Sequence, residues 1–173
     1  MAIVMVDVES DGPIPGDYSM ISIGAVIVDD KLNKTFYGKL KPISKKWIPD
    51  ALKVSGFIRE DTFEFENPKK VMLDFKNWLH KNCKTRPLFF SDNNGFDWQF
   101  INWYFIHFIE ENPFGFSSTN LGSLYKGIVN DMFQNFKHLR KTKHTHNPVD
   151  DALGNAEALL YMKHEMGLKI SLK

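Results

Sequence analysis

AIVMVDVESDG, residues 2–12, begins with a short and nearly continuous apolar run, the pattern of a β-strand covered on both faces. The run then meets acid. Asp7 and Glu9 stand two apart, so in an extended chain their carboxylates share one face while Val6 and Val8 take the other. Two carboxylates crowded at the end of a buried strand are unfavourable unless a cation or hydrogen-bond donors compensate. A metal ion is the economical explanation, although D-x-E taken alone more often marks a solvated acidic loop.

The neighbouring segments supply the rest of a sheet. Residues 19–30 (SMISIGAVIVDD) and 34–43 (KTFYGKLKPI) are rich in β-branched and aromatic residues and are joined by a turn-like DDKLNK, which predicts a hairpin beside the first strand. RPLFFSD (86–92) reads as a fourth strand. Between them, residues 49–56 predict a short helix and 68–82 a longer one, with Val71, Phe75, Trp78 and Leu79 on one face. A further helix begins at FDWQFINWYFIHFIEE, another spans 123–136, and the last runs from Pro148 to about Met166. There a first-turn proline is tolerated and Gly167 can end the helix. Strands followed by alternating helix and strand imply an α/β fold with a central mixed sheet flanked by helices.

Two more acids become informative in this frame. Turning residues by about 100° each along the helix after the fourth strand puts Asp97 with Phe100, Ile101, Tyr104 and Phe108, on the core side. Alone, it would also suit an acid stabilised by a helix N-terminus. In HTHNPVDD (144–151) the only histidine five positions before an aspartate is His146, before Asp151, because position 149 after His144 is Val149. Asp151 shares a helix face with Asn155, while Ala152, Ala156, Leu159 and Leu160 offer a packing surface. A carboxylate fixed on a helix, with an imidazole on the entering loop, suits a base placed beside a metal site.

Composition limits the alternatives. The chain has 173 residues, 43% of them hydrophobic, enough for one domain over 1–173 without disulfides. The single Cys83 and an acidic N-terminal segment lacking a basic flank point to a reducing, cytoplasmic setting. No apolar stretch approaches the roughly 18 residues of a membrane span. A formal net charge of +1 names no polyanionic partner, but Lys137, Arg140, Lys141 and Lys143 form a local basic run. That run is either a guide for phosphates or an ordinary solvated loop.

Taken in order, DVES with Asp7 and Glu9, NNGFD with Asp97, and HNPVDD with His146 and Asp151 resemble the DEDDh family of 3′→5′ exonucleases. That family includes ribonuclease T, oligoribonuclease and polymerase proofreading domains. DALKVSGF (50–57) is similar to the family's short helix and turn near the substrate. The chain departs from the family pattern at Ser10, where many relatives have threonine, and at Asp92, where a histidine is frequent.

The resemblance implies a ribonuclease-H-like three-layer fold built on a mixed five-stranded sheet. It further implies two divalent cations, Mg²⁺ or Mn²⁺, held by Asp7, Glu9, Asp97 and Asp151, with Asp7 bridging both. His146 would take a proton from the attacking water. Ser10, Asp11, Gly12 and Asn93 would contact a single-stranded substrate, RNA or short oligonucleotides being favoured over DNA, with release of nucleoside 5′-monophosphates. A DNA-trimming or proofreading enzyme and a catalytically silent nucleic-acid binding module are the alternatives. Trp103 and Ile106 interrupt the polar side of the Asp97 helix, which fits cover by the rest of the fold, a homodimer contact, or base stacking.

Overall fold

Strand β1 (Ile3–Ser10) is central, as its two-sided apolar pattern requires. The computed structural model, which describes residues 2–172, puts Val4, Val6 and Val8 in one hydrophobic core and Ile3 and Met5 in a second. Successive side chains point to opposite faces of a strand, so these cores lie on the two sides of the sheet.

On one flank β1 pairs antiparallel with β2 (Met20–Ile27), which pairs antiparallel with β3 (Thr35–Lys39). The chain then forms α1 (Pro49–Val54), α2 (Arg59–Thr62) and α3 (Pro68–Asn82). It returns as β4 (Leu88–Ser91), parallel to β1 on its other flank, and continues into α4 (Asn94–Ile109). A parallel edge strand β5 (Ser118–Asn120) leads directly into α5 (Leu121–Val129), and α6 (Pro148–Glu165) closes the fold. The sheet order is β3-β2-β1-β4-β5.

Helices α3 and α4 cover the first face, where Phe75, Phe100, Ile101, Tyr104 and Phe105 are buried. Helices α5 and α6 cover the second through Leu121, Tyr125, Ala152, Ala156 and Leu159. This is the mixed sheet between helical layers that the sequence implies. Among the described residues, no helix is long and apolar enough to cross a membrane.

Several boundaries differ from expectation. Helix α4 begins at Asn94, before the expected FDW, and α5 stops at Val129 instead of reaching Phe136. Asn130 ends α5 in the left-handed conformation (φ 54°), which asparagine tolerates better than most residues. Phe136 is nonetheless buried, delivered by the loop. Strand β5 forms where the sequence predicts no strand, because its three residues, Ser, Thr and Asn, carry no readable alternation. Trp103 is partly covered by the chain itself, since a Cβ on Gly16 would stand 3.3 Å from its ring, and it stacks on His107 at 4.2 Å, while Ile106 stays exposed.

Two features of the sheet position the acids. Pairing of β1 with β4 ends at Met5–Phe90, so the far half of β1 runs beyond β4. Opposite Asp7, β2 carries Gly24, on which the start of α6 rests.

Candidate active site

Asp7 and Glu9 point from the end of β1 toward the α6 face, because Val6 and Val8 occupy the other. Asp151 lies in the first turn of α6. A Cβ on Gly24 would be 2.1 Å from the Pro148 carbonyl carbon, so the missing side chain lets α6 approach the sheet backbone beside Asp7. One carboxylate oxygen each from Asp7, Glu9 and Asp151 lie within 4.8 Å of one another.

Asp97 reaches the same place from α4. It lies outside that close triplet, yet its charge acts on Asp7 more strongly than that of Glu9 or Asp151. The Val8 N–H and the Ser91 side chain are near enough to favour its charged form, but its Oδ2 is buried with no hydrogen-bond partner. A buried carboxylate oxygen without a donor is costly unless a cation meets it.

Electrostatics confirms the crowding. Burial, then the charges of Asp97, Glu9 and Asp151, push Asp7 well above the usual carboxylate range, and only partly does Arg140 offset this. Asp97 is pushed up in the same way, chiefly by burial. Burial and then Asp151 raise Glu9 to about 7. Three acids that resist ionisation, with the Asp151 carboxylate beside them, form a site that suits a hard cation with oxygen ligands. The donor set and the orphaned Asp97 oxygen both fit divalent metal.

The loop before α6 wraps the Asp151 carboxylate. The Thr145 N–H donates to Oδ1 at 3.0 Å and the His146 N–H to Oδ2 at 3.1 Å. Holding both amides there puts His146 at φ 60°, a left-handed conformation that a non-glycine residue adopts only under local constraint. Its Nδ1 stands 3.7 Å from Glu9 Oε1, and the ring is about half exposed. His144, passed over on spacing, is also here, with Nδ1 2.8 Å from Asp151 Oδ1.

The four expected substrate contacts divide. Asn93 is exposed at the N-cap of α4. Ser10 donates its hydroxyl to the Gly12 carbonyl at 2.6 Å, shaping the turn after a bulge at Glu9–Ser10. Gly12 is required by a neighbour in the fold, because a Cβ would overlap the Tyr18 ring at 2.0 Å. Against expectation, the Asp11 carboxylate is fully buried, accepting from the Ser19 N–H and paired with Arg59, so it does not face a substrate. Arg59 in turn donates to the Ser44 carbonyl and lies over Trp47 and Phe63. The pair anchors the loop instead of reading a ligand.

Arg140 fits neither reading of the basic run, being neither a phosphate guide nor solvated. Only 8% of its side chain is exposed; it donates to Asp92 Oδ2 at 2.9 Å and to Asn155, and lies over Phe136. The position where relatives carry a histidine is thus occupied here by an acid with its own buried arginine. Lys137, Lys141 and Lys143 remain exposed. Gly24 could have been noticed in SIGAVIV, since glycine inside a strand pattern signals close backbone approach. Arg59 carried no comparable local signal.

Beside the acids an open cleft of about 340 Å³ is lined by Glu9, Ser10, Gly12, Pro13, Ile48, Ala51, Val54 and Phe96. It combines one carboxylate with an apolar slot of nucleobase size, and α1 forms one wall.

Residues 2–163 match the family model described as the 3′-5′ exoribonuclease Rv2179c-like domain. The chain is 41% identical over 128 residues to the 3′-5′ DNA exonuclease Cap18 of Escherichia coli, covering 72% of this chain and 68% of that protein. In fold it is similar to the nuclease domain of 3′hExo, a DEDDh family member bound to rAMP. That similarity has a TM-score of 0.78 at 16% identity, over 99% of this chain and 96% of the other. E. coli Exonuclease I in complex with a dA16 oligonucleotide gives 0.73 at 16% identity, over 95% of this chain and 41% of that enzyme. With its ordered acids and a fold shared with a DEDDh family member, the chain belongs to the Rv2179c-like 3′-5′ exoribonuclease domain family.

Proposed function

We propose that the protein hydrolyses the terminal phosphodiester at the 3′ end of single-stranded nucleic acid and releases a nucleoside 5′-monophosphate. The convergence of Asp7, Glu9 and Asp151 within 4.8 Å, with the orphaned Asp97 oxygen behind them, carries the reading. These four carboxylates would hold two divalent cations, Mg²⁺ or Mn²⁺. Such ions supply positive charge for the attacking and leaving oxygens of an in-line displacement at phosphorus.

The remaining chemistry falls to the chain. His146, half exposed beside Glu9, would take the proton of the attacking water through its imidazole. The terminal base would enter the slot between α1 and Phe96, against Ile48, Ala51 and Val54. The Ser10–Gly12 turn, held from behind by Asp11 and Arg59, would face the terminal sugar, and exposed Asn93 would contact the strand. Lys137, Lys141 and Lys143 would attract phosphates without sequence preference.

RNA or short oligonucleotides are the first substrates to test. The 41% identity to a DNA exonuclease favours single-stranded DNA as the second reading. Matched RNA and DNA strands, single-stranded and duplex, labelled at the 3′ or 5′ end, should be incubated with Mg²⁺ or Mn²⁺. A 3′ label is expected to leave as a 5′-mononucleotide, and a 5′ label to give a shortening ladder. Asp7→Ala should abolish both. Internal cuts, or equal cleavage by Asp7→Ala, would overturn the proposal.

A further inference from the structure

The geometry points to a second kind of metal site, in which His144, His146 and Asp151 take a borderline transition ion such as Zn²⁺, and whose occupation stops the exonuclease. One nitrogen from each imidazole and one Asp151 oxygen lie within 4.8 Å of one another. Ligand atoms around a tetrahedral zinc with bonds of about 2.0–2.1 Å are separated by about 3.3 Å. His144 Nδ1 is 2.8 Å from Asp151 Oδ1, and the two ring centroids are 4.2 Å apart. Small rotations of two half-exposed rings bring these donors to coordinating distance, and their exposure leaves a position for water.

The third donor is the rigid one. Asp151 is nearly buried on α6 and held by the Thr145 and His146 amides, so the loop is already folded around the oxygen an ion would use. That lowers the ordering cost of binding.

The two donor sets prefer different metals. Asp7, Glu9, Asp97 and Asp151 offer only oxygen, which suits Mg²⁺ or Mn²⁺, whereas two imidazoles and a carboxylate favour zinc, copper or nickel. Asp151 belongs to both sets, and His146 is the proton acceptor of the proposed hydrolysis. An ion held by the histidines therefore occupies the imidazole nitrogen and competes for the carboxylate oxygen that turnover needs. The inhibitory consequence rests on the proposed exonuclease reading, but the binding site does not.

Co²⁺ titrated into the full chain under excess Mg²⁺ reports imidazole ligation through its visible absorption, and Zn²⁺ is then used to displace it. One zinc-displaceable equivalent is expected. Loss of an outer partner of a metal ligand costs about 10–100-fold in affinity, so removing a direct donor by His144→Ala should weaken zinc at least about tenfold. His144→Gln should act alike, and circular dichroism of both variants should match the parent. Asp7→Ala, which disables the all-oxygen set, should keep the cobalt spectrum. The zinc concentration that halves nuclease activity should rise in His144→Ala by the same factor as the dissociation constant. Unchanged zinc affinity in both His144 variants, or a cobalt spectrum lost in Asp7→Ala, would overturn the site. An inactive parent protein that still bound zinc through His144 would overturn the exonuclease reading alone.

Discussion

Gly24 lies opposite Asp7 in the β1–β2 ladder and against the carbonyl of Pro148, where an added Cβ would stand 2.1 Å from the Pro148 carbonyl carbon. The contact is backbone on backbone, so no side chain can rotate away to relieve it. Gly24→Ala should therefore push the first turn of α6, and Asp151 with it, away from Asp7. The expected cost is about 1–3 kcal/mol of stability, as for other overpacked sites. Nuclease activity should fall further than that figure suggests, because displacements of about 1 Å at reacting groups cost on the order of 100-fold. Thermal melts and single-turnover assays on the same samples check both.

The acids make stability depend on pH and metal. Glu9 titrates near 7 in the folded chain against an ordinary value of 4.5, so the fold retains a proton that the unfolded chain releases. That contribution is fully present below about 4.5 and lost as pH rises through about 7. Asp7 and Asp97 are shifted in the same direction. Chelator-treated protein should be less stable at about pH 8 than at about pH 5.5, Glu9 alone contributing about 2 kcal/mol. Saturating Mg²⁺ should remove the loss, since an ion stabilises the charged carboxylates. Denaturant titrations at the two pH values, with and without the metal, measure it.

His146→Ala should leave the fold intact, because the ring is about half exposed. Losing a positioned proton acceptor should lower the chemical step by about 10²–10⁴-fold while substrate affinity changes little. Single-turnover rates set beside equilibrium binding of a labelled strand in Ca²⁺ separate the two effects. A loss confined to binding would remove His146 from the chemistry.

Arg140 tests the opposite case, a cation that is structural. Arg140→Ala leaves Asp92 and Asn155 without their shared donor and should cost about 2–3 kcal/mol. It should not change the salt dependence of strand binding, since a guanidinium 8% exposed meets no phosphate. Alanine at the exposed Lys141 and Lys143 should reduce that salt slope without lowering the melting temperature. Binding isotherms at several salt concentrations discriminate.

Much of this protein is written locally. The two-sided apolar run before Asp7, the hairpin beside it, the full span of α3 and the inward turn of Asp97 follow from strand and helix periodicity, which needs no knowledge of distant contacts. The acids were readable as candidates from local chemistry, while His146 joined them through its spacing to Asp151 and the family resemblance. A carboxylate in an apolar setting is unfavourable wherever the chain goes, so its position is itself a signal.

The partnerships came from folding in three dimensions. Asp11 is spent on Arg59 and Asp92 on Arg140, each 48 residues away, and β5 is a strand only because β4 offers it an edge. His144 joins His146 because the loop before α6 curls around Asp151, bringing in a residue that sequence spacing excludes. Burial preferences are properties of short segments, whereas the choice among several possible ion pairs and hydrogen bonds depends on which groups the packed layers bring within about 3 Å. A linear pattern contains no such distance.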